Sequence, residues 1–328
     1  MNFPCRLPML TMLLCVASVM PSSTVAAPFS ANQVRIVVGF SAGGAVDVVA
    51  RIIAARLSDK LGTSVIVDDK PGFSGNLGAQ LVAKAAPDGA TLLMAPVTSY
   101  AVTEAMMGSQ ATGFSLESDL VAIGAVGEVP LILAVHPSVP VNTLAEYIAL
   151  AKSKPMAMNF ASSGNGSTEH VVAEMFQQRA GVVMLHVPYK GGAPAINDLM
   201  GGQVQSMFAT IPNVIQNVKA GRVKAIAITT AQRHPALPQV PTVAESGLPG
   251  FEVSSVYVLM APAATPAPVL QRLNDDLVAA LKEPETAQKI AALGITPTIT
   301  SVAEARARTL SVVARWKEVV RASNMKPE

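Results

Sequence analysis

Val34-Arg35-Ile36-Val37-Val38-Gly39-Phe40-Ser41-Ala42-Gly43-Gly44-Ala45-Val46-Asp47 is the stretch that decides the fold. A β-branched run suited to a buried strand breaks into a glycine-rich turn, and a helical pattern follows over 46–61. The same order returns at once. Ser64-Val65-Ile66-Val67-Asp68 reads as a second strand and Pro71-Gly72-Phe73-Ser74-Gly75-Asn76 as its turn. An alanine-rich helix then runs to about 86, and Thr91-Leu92-Leu93-Met94-Ala95 reads as a third strand. Strand, turn and helix in this alternation imply an α/β fold with a largely parallel sheet and right-handed crossovers.

The middle of the chain repeats the pattern. A short strand over 156–160 leads into Ala161-Ser162-Ser163-Gly164-Asn165-Gly166-Ser167-Thr168 and a helix over 169–179. Further strands are expected over 184–187, 204–208, 223–228 and 253–260, and a mainly helical tail over 266–322, where Trp316 packs a helix onto the body. Two segments, near 127–135 and 251–260, are the plausible crossings between halves. The expected organisation is a leader over 1–27, a discontinuous first lobe over 28–127 and 252–328, and a second lobe over 128–251. Two crossings permit a hinge.

Arg6 is the only charge before Arg35; an apolar stretch follows it, and small residues end at Ala26-Ala27. That is the layout of a cleavable secretory signal, too short in its apolar part to span a bilayer. Leu14 before Cys15 does not suit a lipidation site. Both cysteines, Cys5 and Cys15, lie in this segment, so the mature chain has no thiol for disulfides, metal or nucleophilic catalysis. Removing Arg6 from the 24 basic residues leaves them one ahead of the 22 acidic ones. With charges balanced and no long run of either sign, a nucleic-acid partner, which usually needs a basic face, is not expected. The expected location is the periplasm.

Three Gly/Ser turns stand at strand ends just before helices: Phe40, Ser41, Ala42, Gly43 and Gly44; Phe73, Ser74, Gly75 and Asn76; Ser162, Gly164, Gly166, Ser167 and Thr168. Ligands of open α/β sheets bind outside the carboxyl ends of strands. Helix N-termini there carry unpaired N–H groups and a partial positive charge, and glycine lets the backbone approach an anion. Asp47 in the first helical turn caps its own loop or also shapes an anion pocket. Tyr189 presents a phenol, Lys190 a cation or plain solvated charge, and Tyr257 lies on the second crossing; Thr98, just past the third strand, completes the candidate set. Gly39-Phe40-Ser41-Ala42-Gly43 also matches the G-x-S-x-G nucleophile elbow. No upstream strand supplies a second oxyanion donor, and His136, His170, His186 and His234 offer no evident base. A secreted serine hydrolase using Ser41 is therefore an alternative, as is a ligand-loaded sensor subunit docking on a receptor kinase. Gly164-Asn165-Gly166 begins a dinucleotide fingerprint that Glu169 leaves incomplete. No metal or cofactor is expected.

Taken together, these segments resemble the Bug family, the extracytoplasmic binding proteins of tripartite tricarboxylate transporters. The resemblance rests on Phe40-Ser41-Ala42-Gly43-Gly44-Ala45-Val46-Asp47-Val48-Val49-Ala50-Arg51, Lys70-Pro71-Gly72, Pro87-Asp88-Gly89, the stretch 186–194, Gly201-Gly202-Gln203-Val204 and the stretch 237–250. It implies a periplasmic-binding-protein-like fold, two α/β lobes closing on a small carboxylate: a dicarboxylate, tricarboxylate, acidic amino acid or aromatic acid. It also implies that Ser41, Ala42, Gly43, Gly44 and Asp47 on one side, with Ser162, Gly164, Gly166, Ser167 and Thr168 on the other, pinch one carboxylate, partly through waters. Delivery to a permease of one large and one small subunit follows from it, by a monomer that does no chemistry. Asp69 replaces a usual Asn, Phe73 a usual Ala, and Val256 a usual Trp, each a departure that bears on specificity.

Overall fold

The structure is a computed structural model and describes Met1 and residues 32–323. The leader expected over 1–27, with its two cysteines, lies outside the described residues apart from Met1. In β1 (Gln33–Val38), Val34, Ile36, Val37 and Val38 are fully buried, as their β-branched run requires. α1 (Ala45–Leu61) buries Val46, Val49, Ala50, Ile53, Ala54 and Leu57, one stripe at helical spacing. Gly62 closes it at φ 66°, its N–H reaching the Ser58 carbonyl. Then come β2 (Ser64–Asp69), a 3₁₀ turn (Phe73–Gly75), α2 (Asn76–Ala83), β3 (Thr91–Pro96), α3 (Val97–Met107) and α4 (Ser109–Thr112).

β4 (Leu120–Val135) is followed by α5 (Leu144–Ser153), β5 (Asn159–Ser162), α6 (Thr168–Ala180) and β6 (Leu185–Pro188). Next stand α7 (Gly192–Met200), β7 (Ser206–Thr210), α8 (Ile211–Lys219) and β8 (Lys224–Ile228). β9 (Ser254–Pro262), α9 (Ala267–Lys282), α10 (Pro284–Ala292), β10 (Thr296–Pro297) and α11 (Val302–Ser323) complete the chain. Trp316 of α11 is buried.

The sheet runs β2-β1-β3-β9-β4-β7-β5-β6, with β8 and β10 also on β4. The flanks are parallel, β1 with β2 and β3, and β5 with β6 and β7. The centre is antiparallel, because β9 pairs with β3 and β4, and β4 pairs with β7 and β8. The largely parallel sheet expected is therefore two parallel flanks joined by an antiparallel ribbon. β4 pairs with β9 from Leu120 to Pro130 and with β7 from Leu131 to Val135, so one strand serves both halves. Thr229 fastens this changeover: its hydroxyl donates to the Val253 carbonyl at 2.6 Å, and its N–H to the Leu131 carbonyl at 3.0 Å. The described residues from Asn32 onward belong to one compact unit.

Two strands start two or more residues later than expected. Met156 sits in a turn at φ 61°, exposed, so β5 opens at Asn159 rather than 156. β7 opens at Ser206 rather than 204. Helices α3, α5, α7 and α8 were not among the expected elements, and α3 and α8 carry part of the site.

Candidate ligand-binding site

The two glycine turns of the first half interlock. Gly39 packs so tightly on Gly75 that a Cβ there would fall 2.5 Å from the Gly75 Cα. The Phe40 ring lies over Gly75 and stacks on Tyr100 with centroids 6.5 Å apart. Phe40 thereby lines a cavity of about 360 Å³ between the halves. Its walls are Gly72, Phe73, Ser74 and Gly75 with Thr103, Met106 and Met107 of α3, facing Ser163 to Gly166 and Pro188 to Lys190.

A second, smaller cavity adjoins it, sharing Phe40 and Ser163; its volume of about 20 Å³ has room for about one water. Five helices begin on its wall: α1 at Gly44 to Val46, α3 at Pro96, α6 at Thr168 and Glu169, α7 at Gly192, and α8 at Thr210. Each contributes the positive end of its dipole. Glu169 is the one carboxylate among the lining residues and is buried. Burial raises its pKa, opposed by hydrogen bonds from its own amide and from Ser163 and Ser167. Tyr257, also on this wall, is raised chiefly by burial and next by the Glu169 charge.

Polar contacts draw the halves together. The Ser41 N–H donates to the Lys190 carbonyl at 3.2 Å, and the Ala45 N–H to Asn213 Oδ1 at 2.6 Å. The Ser74 hydroxyl donates to the Asn165 carbonyl. The Thr168 N–H donates to Ser99 Oγ at 3.0 Å.

Of the candidate residues, Phe40, Gly44, Phe73, Ser74, Gly75, Gly164, Gly166, Thr168, Tyr189 and Tyr257 line one or both cavities. Ser41, Ala42, Gly43, Asp47, Asn76, Thr98, Ser162 and Ser167 do not. Asp47 caps its own loop, accepting the Gly43 N–H at 2.8 Å and pairing with Arg51 Nε at 2.7 Å. Asn76 donates to the Phe73 carbonyl at 2.6 Å, Thr98 to the Ser254 carbonyl at 3.4 Å, and Ser167 accepts the His170 N–H at 3.3 Å. Ser162 Oγ lies 2.6 Å from His186 Nε2. These bonds hold the loops.

Several donors expected to meet an anion are engaged within the protein. The Gly44 N–H goes to the Ser41 carbonyl at 3.3 Å, that of Gly164 to Ser162 Oγ at 3.1 Å, and that of Gly166 to His170 Nδ1 at 3.0 Å. Tyr189 presents its ring but not its phenol, which donates to Asp198 at 2.6 Å. Burial first and the Asp198 carboxylate second push that phenol up to about 12. The Ser41 hydroxyl is buried without a hydrogen-bond partner among the described residues.

Sequence reasoning missed Ser99, Thr103, Met106 and Met107 of α3, and Thr210 and Asn213 at the start of α8. Both signals exist. Ser99, Thr103 and Met106 recur at spacings of four and three, one helical face. Thr210-Ile211-Pro212 places a capping residue before an early proline.

A family model described as the tripartite tricarboxylate transporter family receptor matches residues 49–325. Protein BugT of Bordetella pertussis is 35% identical over 324 residues, 97% of this chain and 99% of that protein. Among solved structures, R. palustris Rpa4515 with adipate superposes with a TM-score of 0.85 at 34% identity, covering 90% of this chain and 98% of the other. The periplasmic binding protein BugD does so with the same score, identity and coverage.

Proposed function

The chain belongs to the tripartite tricarboxylate transporter receptor family, and on that premise we propose that it is a periplasmic solute-binding protein that captures a small organic carboxylate. Its fold is that of the periplasmic binding proteins. The observation that carries the ligand class is the convergence of five helix N-termini on one cleft. Each can stabilise a negative charge by about 0.3–2 kcal/mol when water is excluded. The cleft thus attracts an anion without an arginine on its wall.

In this reading the sheet halves are lobes, 28–127 with 252–328 and 128–251, hinged where β4 and β9 cross. The ligand sits against Phe40, Gly44, the 73–75 turn, the 162–168 loop and Tyr257, and closure brings Ser99 onto Thr168 and Ser41 onto Lys190. The loaded protein, a monomer that leaves its ligand chemically unchanged, hands the acid to a permease of one large and one small subunit. Relatives support the ligand class: Rpa4515 was solved with adipate.

A melting assay tests it. A bound ligand adds RT ln(1 + [L]/Kd), about 2.7 kcal/mol at a hundredfold excess over Kd. Adipate and other carboxylates are expected to raise the midpoint, and their neutral amides not to. Equal shifts from the amides, or shifts from sugars alone, overturn the reading.

A further inference from the structure

The walls of the larger cavity say what the rest of the ligand is made of. Its side-chain hydroxyl hydrogens are already engaged: Ser74 donates to Asn165, Thr103 to the Ser99 carbonyl at 2.5 Å, Tyr189 to Asp198 at 2.6 Å, and Ser163 to the Glu169 carboxylate. With its hydroxyl turned back along α3, Thr103 directs its methyl toward Gly166, where a Cβ would meet it at 2.7 Å. Of the remaining wall side chains Asn165 is polar, while Phe40, Phe73, Met106, Met107 and Pro188 are apolar. Among the described residues on this wall Lys190 is the only one with a charged side chain, and it is exposed.

Phe73 is the most telling of these. It lies at φ 48°, Ser74 follows at φ 53° and Gly75 at φ 89°, three successive residues in a region that side chains avoid. The turn is held there by the Ser74–Asn165 bond, by Asn76 on the Phe73 carbonyl at 2.6 Å, and by Gly75 on the Gly72 carbonyl at 3.0 Å. Such strain persists where surrounding contacts over-determine it, and it clusters at ligand clamps. The outcome is a phenyl ring 42% exposed at the cavity wall. An apolar ring left in water gains when a ligand covers it with apolar surface, and gains nothing from a hydroxylated one.

We propose that the acid bound here carries its carboxylate on an apolar body, an alkyl chain or aryl ring, and that Phe73 selects for that body. This rests on the carboxylate-binding reading above. Hydroxylated acids such as malate and citrate would lose hydrogen bonds to water on entering and find the hydroxyl hydrogens of Ser74, Thr103, Ser163 and Tyr189 already committed elsewhere.

The test measures Kd by calorimetry for the full chain with hexanoate, phenylacetate, malate, citrate and hexanamide, repeated on Phe73→Ala and Phe73→Leu. Hexanoate or phenylacetate is expected to bind at least tenfold tighter than malate or citrate, and hexanamide not at all. Phe73→Ala is expected to cut that preference about tenfold, the scale of a lost apolar contact, and Phe73→Leu to restore most of it. Tighter binding of malate or citrate, or a preference unchanged in Phe73→Ala, overturns the apolar-body proposal and leaves the carboxylate reading intact. Binding of hexanamide as tight as hexanoate, or no acid binding at all, overturns both.

Discussion

Ser99 of α3 accepts the backbone N–H of Thr168 at 3.0 Å, and the two hydroxyls stand 2.9 Å apart, so one half of the protein caps the first turn of a helix in the other. Both residues are buried. In the hinged reading proposed above, the bond exists only in the closed state, and its energy adds to closure.

Ser99→Ala leaves the Thr168 N–H without this acceptor. Loss of a helix cap costs about 1 kcal/mol, which corresponds to roughly a fivefold weaker ligand affinity. Calorimetry on the variant checks this; an unchanged Kd would mean that Ser99 contributes nothing to closure.

Gly191→Ala is expected to wedge the cleft. A Cβ at Gly191 would fall 2.8 Å from the Ser41 nitrogen across the cleft, and the residue sits at φ 144°. The added methyl forces the 189–191 loop away from the 40–44 turn, at a cost of about 1–3 kcal/mol. The expected result is ligand affinity down at least tenfold, with a larger radius of gyration in solution scattering. The same substitution at Gly43, whose Cβ would only touch the Ala193 Cβ at 4.0 Å, is the milder control.

Asp69 makes stability depend on pH. Burial first, then the nearby Asp47 carboxylate, lift its pKa to about 6, against the pull of Arg51 at 3.1 Å. A folded value above the unfolded one means stabilisation that is complete in strong acid and lost as pH rises through about 6. Asp69→Asn is expected to match the parent near pH 4 and to melt higher at pH 8. A variant less stable at pH 8 would show the Arg51 pairing to outweigh the repulsion.

Glu169 predicts a pH dependence in binding instead. Burial raises its pKa, and its carboxylate lines the cleft that the helix N-termini polarise. As Glu169 ionises it repels an anionic guest, so affinity for hexanoate is expected to fall as pH rises above the ordinary carboxylate range. Glu169→Gln should bind with a flatter profile and more tightly at pH 8. Parallel profiles in the two proteins would remove Glu169 from the site.

The Gly and Ser runs at strand ends were legible, because only a few residue types permit those turns; Phe40, Ser74, Gly164 and Thr168 all reach a cavity wall. What periodicity conceals is which residue of a loop faces in. Asp47 and Ser167 bond back to their own loops, and that choice depends on distances of 2.8 Å and 3.3 Å rather than on residue type. α3 was obscured because Val97-Thr98-Ser99-Tyr100 is β-branched and aromatic and reads as a continuation of β3. α5 was open to reading: Thr143 and Glu146 form a capping box at its start. The contribution of α8 depends on Asn213 reaching Ala45, 168 residues away, a pairing no local pattern reveals.

The unbroken run of β4 through both halves has a consequence for how the chain can be cut. A cut between 127 and 128 would run through β4, taking Glu128, Val129 and Pro130 from their β9 partners and leaving that stretch of β9 with a bare sheet edge. Neither piece is a module that expression could isolate: the two halves must fold as one.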